Sequence, residues 1–338
     1  MRRYEVAFVF VLLVPGLLGC GGQRDQQRSA STAFEQAQQV LDTLDNPQEE
    51  VQIFEEFVRA YPDSEEAIDA LGAVVYLRSK KLDDLEGAVS IAETARSMAS
   101  DPKARFEYGI KLHDISVQAG RSADLKNIAD ELAAVRPLSF VEHLAVVEEA
   151  EKGGEWEVML EHATSMAQFA NAKTFRADYP DDDFSDERVE FSVNRRRGWA
   201  SAYEGAALIH LDRLDEATTV LEEAADLSTL SNYVGVPEFP LNRYWGKAEL
   251  MQGRPERAAE LLAPDALMGR DESALDDFRA AYVATNGSEE GFENYQSAVR
   301  QSIATVIDDV TLNNYSGDSL SLASMAGKVY VMAFWNPG

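Results

Sequence analysis

The fold is decided by WASAYEGAALIHLDRLDEATTVLEEAADL, residues 199–227. Small and apolar residues recur every three or four positions on both sides of the polar break LDR, as in two amphipathic helices joined by a tight turn. Ala217 follows Gly205 by twelve positions, and residues this small let two helices cross closely. Leu221 and Ala224 continue the apolar stripe of the second helix. The stretch therefore predicts a helix–turn–helix pair.

The same spacing recurs in LNRYWGKAELMQGRPERAAELLAPDAL, residues 241–267. Here Ala258 follows Gly246 by twelve positions, and Leu262 continues the stripe. Helix pairs of the same kind are predicted over residues 54–77, 112–137 and 140–170. Stacked pairs bury one continuous core that a single pair could not bury alone. The sequence therefore predicts a mostly α protein whose helical-repeat domain spans residues 33–304.

The composition limits the partners and cofactors of the protein. With 59 acidic against 31 basic residues, the chain of 338 residues has a net charge of −28, and such a surface repels nucleic acid and anionic lipid head groups. A single cysteine rules out an internal disulfide and a multi-cysteine metal site. The histidines have no metal-ligand spacing and are interpreted as polar helix residues: His113, His143, His162 and His210. We therefore expect no nucleic acid partner, no metal and no cofactor.

The first twenty residues have the pattern of an export signal. A positive start, MRR, precedes the apolar run Val6–Val14, which is too short to span a bilayer because a span requires about 20 residues. The sequence LLGC, residues 17–20, follows and resembles a bacterial lipobox. The resemblance implies cleavage between Gly19 and Cys20 and a diacylglycerol on the Cys20 thiol. The alternative is an ordinary signal peptide or anchor in which the cysteine is incidental.

The lipobox interpretation divides the N-terminal region and predicts the location. Residues 1–19 are then a signal peptide, and the polar residues 20–32 are a tether. Lipid on Cys20 implies a protein anchored in the cell envelope and facing the periplasm. Gly21, and not aspartate, follows the cysteine, which by the sorting rule of enteric bacteria favours the outer membrane over the inner membrane.

The helix pairs resemble tetratricopeptide (TPR) repeats. FEEFVRAYPDS, residues 54–64, is similar to the TPRs of bacterial envelope lipoproteins. The spacings depart from the usual ~34 residues, and most consensus tryptophan and tyrosine positions are missing. The resemblance implies a scaffold that binds envelope proteins or peptides in a groove and has no catalytic residues of its own.

Three stretches within the repeats carry unusual side chains. Residues 178–187, DYPDDDFSDE, lack the glycine and the final glutamate of an EF-hand, so a solvated loop is preferred to a calcium site. The basic cluster NRRRGW, residues 194–199, is predicted to form ion pairs with that acidic loop, each contributing little. Residues 229–245 are aromatic and contain prolines. They either cover an interface between repeats, which is preferred, or line a groove.

The periodicity changes after residue 304. DDVTLNN (308–314) and SLSLAS (319–324) alternate as half-buried strands joined by a turn, and VYVMAFW (329–335) is a continuous apolar run typical of a strand covered on both faces. The sequence therefore predicts an α/β region after the helical array.

Residues 308–338 resemble the opening of a TlpA/ResA-type, AhpC/TSA-related thioredoxin-fold (redoxin) domain. The matching residues are Val310-Thr311-Leu312, Gly317, Leu320-Ser321-Leu322, Gly327-Lys328 and Phe334-Trp335. The resemblance implies that residues 305–338 are the N-terminal part of such a domain. Phe334 and Trp335 would flank its redox site, whose first cysteine would follow Gly338. On this interpretation the chain is truncated just before its active-site cysteine.

Two functions follow from these resemblances. In the first, the complete protein is a membrane-anchored thiol-disulfide oxidoreductase, or a peroxiredoxin-like peroxidase with one cysteine, joined to a TPR platform. This chain has no cysteine at a catalytic position and is expected to be inactive. In the alternative, it is a non-enzymatic TPR lipoprotein that binds envelope proteins or peptides.

Overall fold

The computed structural model describes residues 23–41, 44, 46–121, 123–180, 182–227, 240–267, 272–303, 311–313 and 319–321. Within these ranges the regular structure is helical except for two short strands, so the prediction of a mostly α protein is confirmed. The chain divides into two compact units, Met1–Ser228 (unit 1) and Thr229–Gly338 (unit 2).

Unit 1 is an array of helices that pack in the order of the chain. The helices are α1 Gln23–Leu41, α2 Pro47–Ala60, α3 Glu65–Tyr76, α4 Leu85–Met98, α5 Pro102–Gln118, α6 Leu125–Ala133, α7 Phe140–Gly153, α8 Trp156–Phe169, α9 Ala172–Asp178, α10 Asp186–His210 and α11 Leu214–Asp226. A π-helical segment, Leu77–Lys81, extends α3. Each of α1 to α7 packs against the next helix, and α8 packs against α10. The first helices of successive pairs, α1, α3, α5 and α7, also contact one another. This is a TPR-like packing order.

The two helices of a pair are joined by a turn of one recurring form. A residue with positive φ ends the first helix at Asp83 (φ 53°), Gly120 (67°), Gly154 (70°) and Asp212 (58°) in unit 1, and at Gly253 (75°) in unit 2. Glycine suits this left-handed conformation because it has no Cβ, and aspartate tolerates it better than most residues. The pairs therefore repeat in structure although their sequences differ.

The hydrogen bonds of two of these turns coincide position by position. Arg213 N donates to Leu208 O at 2.9 Å, and Arg254 N donates to Glu249 O at 2.9 Å. Asp212 N and Gly253 N bond to the carbonyls three residues before them, at 3.2 and 3.0 Å. These bonds satisfy carbonyl groups that a helix end otherwise leaves without partners.

The close helix crossings predicted from glycine are present in both units. A Cβ built on Gly205 would lie 2.5 Å from Leu221 Cγ, and a Cβ on Gly246 would overlap Leu262 just as closely. The alanines predicted to follow in the stripe, Ala217 and Ala258, are fully buried. Leucine packs directly on the glycine backbone in each pair, as the spacing predicts.

Side-chain caps fix where many helices begin. The capping residues are Asn46, Ser64, Asp84, Asp101, Asp124, Ser139, Asn171 and Ser185, each accepting a hydrogen bond from a backbone N–H of the first turn. Such a cap typically contributes about 1 kcal/mol to helix stability. Ser139 forms a full capping box with Glu142 at the start of α7.

The helical array begins earlier than predicted. Helix α1 starts at Gln23, inside the tether expected over residues 20–32 and before the predicted boundary at residue 33. Ala30 is buried in the core of unit 1, and Ser31 Oγ donates to Glu66 on α3. The contacts of Ala30 and Ser31 therefore hold the C-terminal end of this segment against the array, although its composition is polar.

The described residues of unit 2 form two helix pairs and a hairpin. They are α12 Leu241–Met251, α13 Pro255–Leu267, α14 Glu272–Asn286, α15 Phe292–Ile303, β1 Thr311–Asn313 and β2 Ser319–Ser321. The strands are antiparallel, with Leu312 opposite Leu320. They lie where the first two strands are predicted. A two-stranded hairpin occurs in many folds, so it does not establish the thioredoxin-like part. The predicted third strand, 329–335, lies outside the described residues.

Candidate functional site

The first helices α3, α5 and α7 lie side by side in unit 1 and form one continuous surface. Near their N-termini, Glu107 on α5 interacts electrostatically with Glu65 on α3 and Glu142 on α7. Near their C-termini, Lys152 Nζ on α7 lies 3.1 Å from Asp114 Oδ1 on α5. Corresponding ends of the helices are therefore neighbours, and the helices run parallel. We call their outward surface the first-helix face.

The residues of this face follow from helical spacing. Side chains three, four, seven and eleven positions apart lie on one side of a helix. On α3 these are Glu65, Asp69 and Tyr76. On α5 they are Glu107, Lys111 and Asp114, and on α7 they are Val141, Glu148 and Lys152.

Two large apolar side chains of the first-helix face are open to solvent. Tyr76 is 54% exposed and Val141 is 55% exposed. They lie at opposite ends of the face, Tyr76 at the C-terminal end of α3 and Val141 at the N-terminal end of α7. A single exposed apolar residue needs no explanation, but two on one surface with half-buried carboxylates between them form a surface suited to a partner.

Two half-buried carboxylates of the face have raised pKa values. Burial raises the pKa of the Glu107 carboxyl; Lys103, 3.5 Å away, opposes the shift, and the charges of Glu65 and Glu142 add to it. Burial also raises the pKa of Glu148, where Lys152 opposes the shift and neighbouring acidic residues add to it. The ionised form of each carboxylate is therefore less stable than it would be in water.

A different cluster surrounds His113, which is fully buried on α5. Its Nδ1 lies 3.2 Å from Glu149 Oε2 on α7, and its Nε2 lies 2.8 Å from Glu155 Oε1, which directly precedes α8. Lys152 and Glu149 form a further ion pair. Burial by itself lowers the pKa of His113, but the hydrogen bonds and charges of Glu149 and Glu155 raise it above its ordinary value. The cluster joins α5 to the next helix pair through an imidazole whose protonated form the two carboxylates stabilise.

The helix pair α7–α8 contains a second histidine cluster, in which the pKa values are lowered and not raised. His143 Nδ1 on α7 and His162 Nδ1 on α8 are 3.0 Å apart, and both residues are buried. Burial and the neighbouring His162 lower the pKa of His143 to about 4. Burial also lowers the pKa of His162, with Lys126 acting in the same direction and Glu161 and Asp130 opposing. One ring donates its Nδ1 proton to the other, and both rings are neutral.

His113, His143 and His162 lie on helices, as interpreted from the sequence, but they are buried and bonded across helices. Only His210 is exposed, and its ring stacks on Trp156 with the ring centres 3.7 Å apart and the planes 4° apart. Among the described residues, no group of three or more histidine, cysteine, aspartate or glutamate side chains is placed to hold a metal ion.

The basic cluster at residues 194–199 pairs with the acidic loop as predicted, but it is more buried than predicted. Arg196 Nη1 lies 2.7 Å from Asp178 Oδ2, and the guanidinium stacks between the rings of Phe140 and Phe175 at 4.7 and 4.8 Å. Arg196 is only 6% exposed. The guanidinium of this pair is therefore desolvated, although Asp178 remains in contact with water, and the pair differs from ion pairs in which both side chains are exposed. Arg196, on α10, thereby holds α9 against α7 through its stacked guanidinium.

The other predicted site residues lie in several places. Most of the acidic stretch 178–187 is the connection between α9 and α10, as a solvated loop requires. Of residues 229–245, only 240–245 are described, and they lead into and begin α12. The lipidation and cleavage residues Gly19 and Cys20, and the redoxin residues Phe334 and Trp335, lie outside the described residues. Within the described part of the chain, no helix has the length and apolar character needed to cross a membrane.

The sequence patterns did not indicate the first-helix face or the His113 cluster. Each brings together residues from several helix pairs, and helical periodicity specifies a side of one helix without its neighbours. One signal was available. His113 precedes the left-handed Gly120 by seven positions, the same register at which Gly205 precedes Asp212 and Gly246 precedes Gly253. A titratable residue at this buried position points to a partner in the core.

Comparison with known proteins adds little to this description. No family model matches the chain, and no curated protein matches it. Among solved structures it is similar to the TPR2AB-domain:pHSP90 complex of yeast Sti1, with 16% identity, 78% of this chain and 98% of that chain covered, and a TM-score of 0.22. At that TM-score the two chains do not superpose as wholes, so nothing about this chain's partner follows. The TPR-like character of unit 1 is evident from its own helix pairs and turns.

Proposed function

We propose that the protein is a non-enzymatic scaffold that binds a polypeptide on the first-helix face of unit 1. The observation that supports the proposal is the continuous surface of α3, α5 and α7, which has exposed Tyr76 and Val141 at its ends and half-buried carboxylates between them. Stacked helix pairs present such a surface on a rigid frame, because each pair is held by its neighbours.

We further propose that lipid on Cys20 holds this scaffold at the cell envelope, facing the periplasm and at the outer membrane. The support is the lipobox-like order LLGC at residues 17–20 and the Gly21 that follows it. Changing Cys20→Ala is expected to block processing or release the protein into the soluble periplasmic fraction. An unlipidated Cys20 with unchanged membrane fractionation, shown by intact mass, would contradict the anchor without affecting the scaffold.

Photo-crosslinking in cells tests the scaffold. A photoreactive amino acid is placed at Tyr76 or Val141 on the first-helix face, with Glu157 on α8 as the control position. We expect crosslinks to a polypeptide from the first two positions and not from the third. The crosslinked partner, identified by mass spectrometry, should then bind the purified protein saturably. Equal crosslinking at all three positions, or no saturable binding, contradicts the proposal.

A redox function is the second candidate, and the resemblance of residues 308–338 to a redoxin domain favours it. Strands β1 and β2 form a hairpin at the predicted positions, which is compatible with this candidate. The chain's one cysteine, Cys20, belongs to the proposed lipid anchor. A Cys20→Ser variant of this chain is therefore expected to show no disulfide reduction or peroxide turnover above background, and turnover would overturn that expectation.

A further inference from the structure

We propose that the polypeptide held by the first-helix face is an extended segment in which lysine or arginine side chains alternate with apolar ones. This inference rests on the proposed scaffold function and adds the chemical class of its partner.

The charges of the face are mostly negative. Its carboxylates are Glu65, Asp69, Glu107, Asp114 and Glu148, and the lysines on or beside it are Lys103, Lys111 and Lys152. Lys103 already pairs with Glu107, and Lys152 with Asp114. Within the described part of the chain, no basic side chain lies within ion-pair distance of Glu65, Asp69 or Glu148. The face therefore has more carboxylates than its own cations can neutralise.

The half-buried carboxylates make a cationic partner favourable. Glu107 and Glu148 each remain under-stabilised in their charged form, because burial removes water and the neighbouring carboxylates repel. A lysine or arginine brought within hydrogen-bond distance would supply a charge-assisted bond where water is scarce. An acidic partner would instead add repulsion at the same two positions.

The apolar ends of the face define the rest of the segment. Tyr76 and Val141 lie on the outer helices of the three, on either side of the Glu107 helix. Packed helices are about 9 Å apart, so the outer axes are about 18 Å apart. Tyr76 lies eleven positions beyond Glu65, at the opposite end of the face from Val141, which adds about 16 Å along the helix axes. An extended chain advances about 3.3 Å per residue, so about eight residues cross the face diagonally from one apolar end to the other. Alternate side chains of an extended segment point the same way, which suits a pattern of alternating cationic and apolar residues.

The charge of the whole protein favours the same partner. A net charge of −28 attracts a cationic segment from a distance and repels an acidic one. This attraction is screened by salt, whereas the contacts at half-buried carboxylates are screened less. Association should therefore slow as salt rises, while the preference for a cationic segment persists.

Fluorescence anisotropy with defined peptides tests the inference on the full chain in a non-ionic detergent. The probes are eight-residue peptides that alternate lysine with leucine, glutamate with leucine, or lysine with serine. We expect the lysine–leucine peptide to bind most tightly, because it alone matches both the carboxylates and the apolar ends. Tighter binding of the glutamate–leucine peptide would overturn the inference.

Paired variants separate a specific site from general attraction. Glu107→Gln with Glu148→Gln removes two carboxylates of the face, and Glu157→Gln with Glu222→Gln removes two exposed carboxylates of the second helices α8 and α11. Both pairs change the net charge equally. We expect the first pair to weaken binding at least tenfold and the control pair less than twofold, with unchanged helical circular dichroism in both. Equal losses would mean attraction by overall charge only, and would overturn the site.

The apolar contact of the peptide and the proposed scaffold function are tested by separate measurements. Tyr76→Ser is expected to weaken the lysine–leucine peptide more than the lysine–serine peptide, and equal effects would contradict the apolar contact. If no peptide binds but crosslinks at Tyr76 and Val141 persist, the cationic class is wrong and the scaffold stands. If the crosslinks also fail, both proposals fail.

Discussion

The two histidine clusters of unit 1 share helix α7, yet one stabilises a protonated ring and the other stabilises neutral rings. His113 is fully buried between Glu149 and Glu155 and is stabilised as a cation. His143 and His162 are also buried, but each faces the other ring, and both are stabilised as neutral groups. The charge of a buried histidine is therefore not set by the residue type. It is set by the partner across the helix interface, because a carboxylate compensates the loss of water around an imidazolium and a second imidazole does not.

The largest effect is expected from His113→Ala. Removing the cation leaves Glu149, whose side chain is 7% exposed, with one fewer partner and opens a cavity between α5 and α7. Breaking a buried ion pair typically costs about 4 kcal/mol of unfolding free energy. Urea denaturation at pH 7 measures the loss. A cost below about 1 kcal/mol, as for a surface pair, would mean that Lys152 alone compensates Glu149.

The same variant also tests the sign of the pH dependence. The folded-state pKa of His113 is raised above 6.5, so its contribution to stability is fully present below pH 6.5 and is lost as pH rises through the folded pKa. The wild type should therefore lose stability on the alkaline side relative to His113→Ala. If the difference in unfolding free energy between the two proteins did not change with pH across that range, His113 would not be stabilised in its protonated form.

A smaller change in stability, with the opposite pH dependence, is expected when the protein is acidified. The folded-state pKa of His143 is lowered from 6.5 to about 4, so its contribution to stability is present above pH 6.5 and is lost as pH falls towards 4. A shift of this size corresponds to about 3 kcal/mol at most, since one pKa unit is about 1.4 kcal/mol. Denaturation at several pH values measures the loss. Because carboxylates also titrate in this range, the control is His143→Leu with His162→Leu, which should lack the histidine component.

The double variant is itself expected to be nearly neutral at pH 7. Replacing both partners of a buried hydrogen bond by apolar groups of similar size changes stability little, by about 1 kcal/mol or less. The single change His143→Leu should cost more than the double change, because it leaves His162 Nδ1 buried without its partner. Additive costs in the two single variants would show that the rings do not form the Nδ1–Nδ1 bond.

The smallest effect is expected from His210→Ala. His210 is exposed and stacks on Trp156, so we expect its replacement to decrease the free energy of unfolding by about 0.5 kcal/mol. The melting temperature of this variant should stay close to that of the wild type. A loss comparable to that of His113→Ala would mean that exposure is a poor guide to the role of histidine in this array.

Much of the fold could be predicted from local patterns. The Gly205–Ala217 and Gly246–Ala258 spacings indicate helix pairs, and the structure places Leu221 and Leu262 on the two glycines. The start of α1 could not be predicted in the same way, because residues 23–32 are polar and their helix is held by Ala30 and Ser31 against other helices. The basic cluster was correctly paired with the acidic loop, but the burial of Arg196 between two rings depends on α7 and α9 meeting there.

Local sequence patterns are sufficient to predict the helix pairs, their turns and the close crossings at glycine. These features depend on residues that are near in sequence, at most sixteen positions apart for Gly205 and Leu221, so a period of 3.6 residues and a polar break are enough to predict them. Only the tertiary structure decided the charge of each histidine and the composition of the first-helix face. His113 meets a carboxylate 36 positions away, and Glu107 lies between residues of two other helices. Such contacts depend on how the helices are aligned when they pack, and the pattern of one helix does not carry that information.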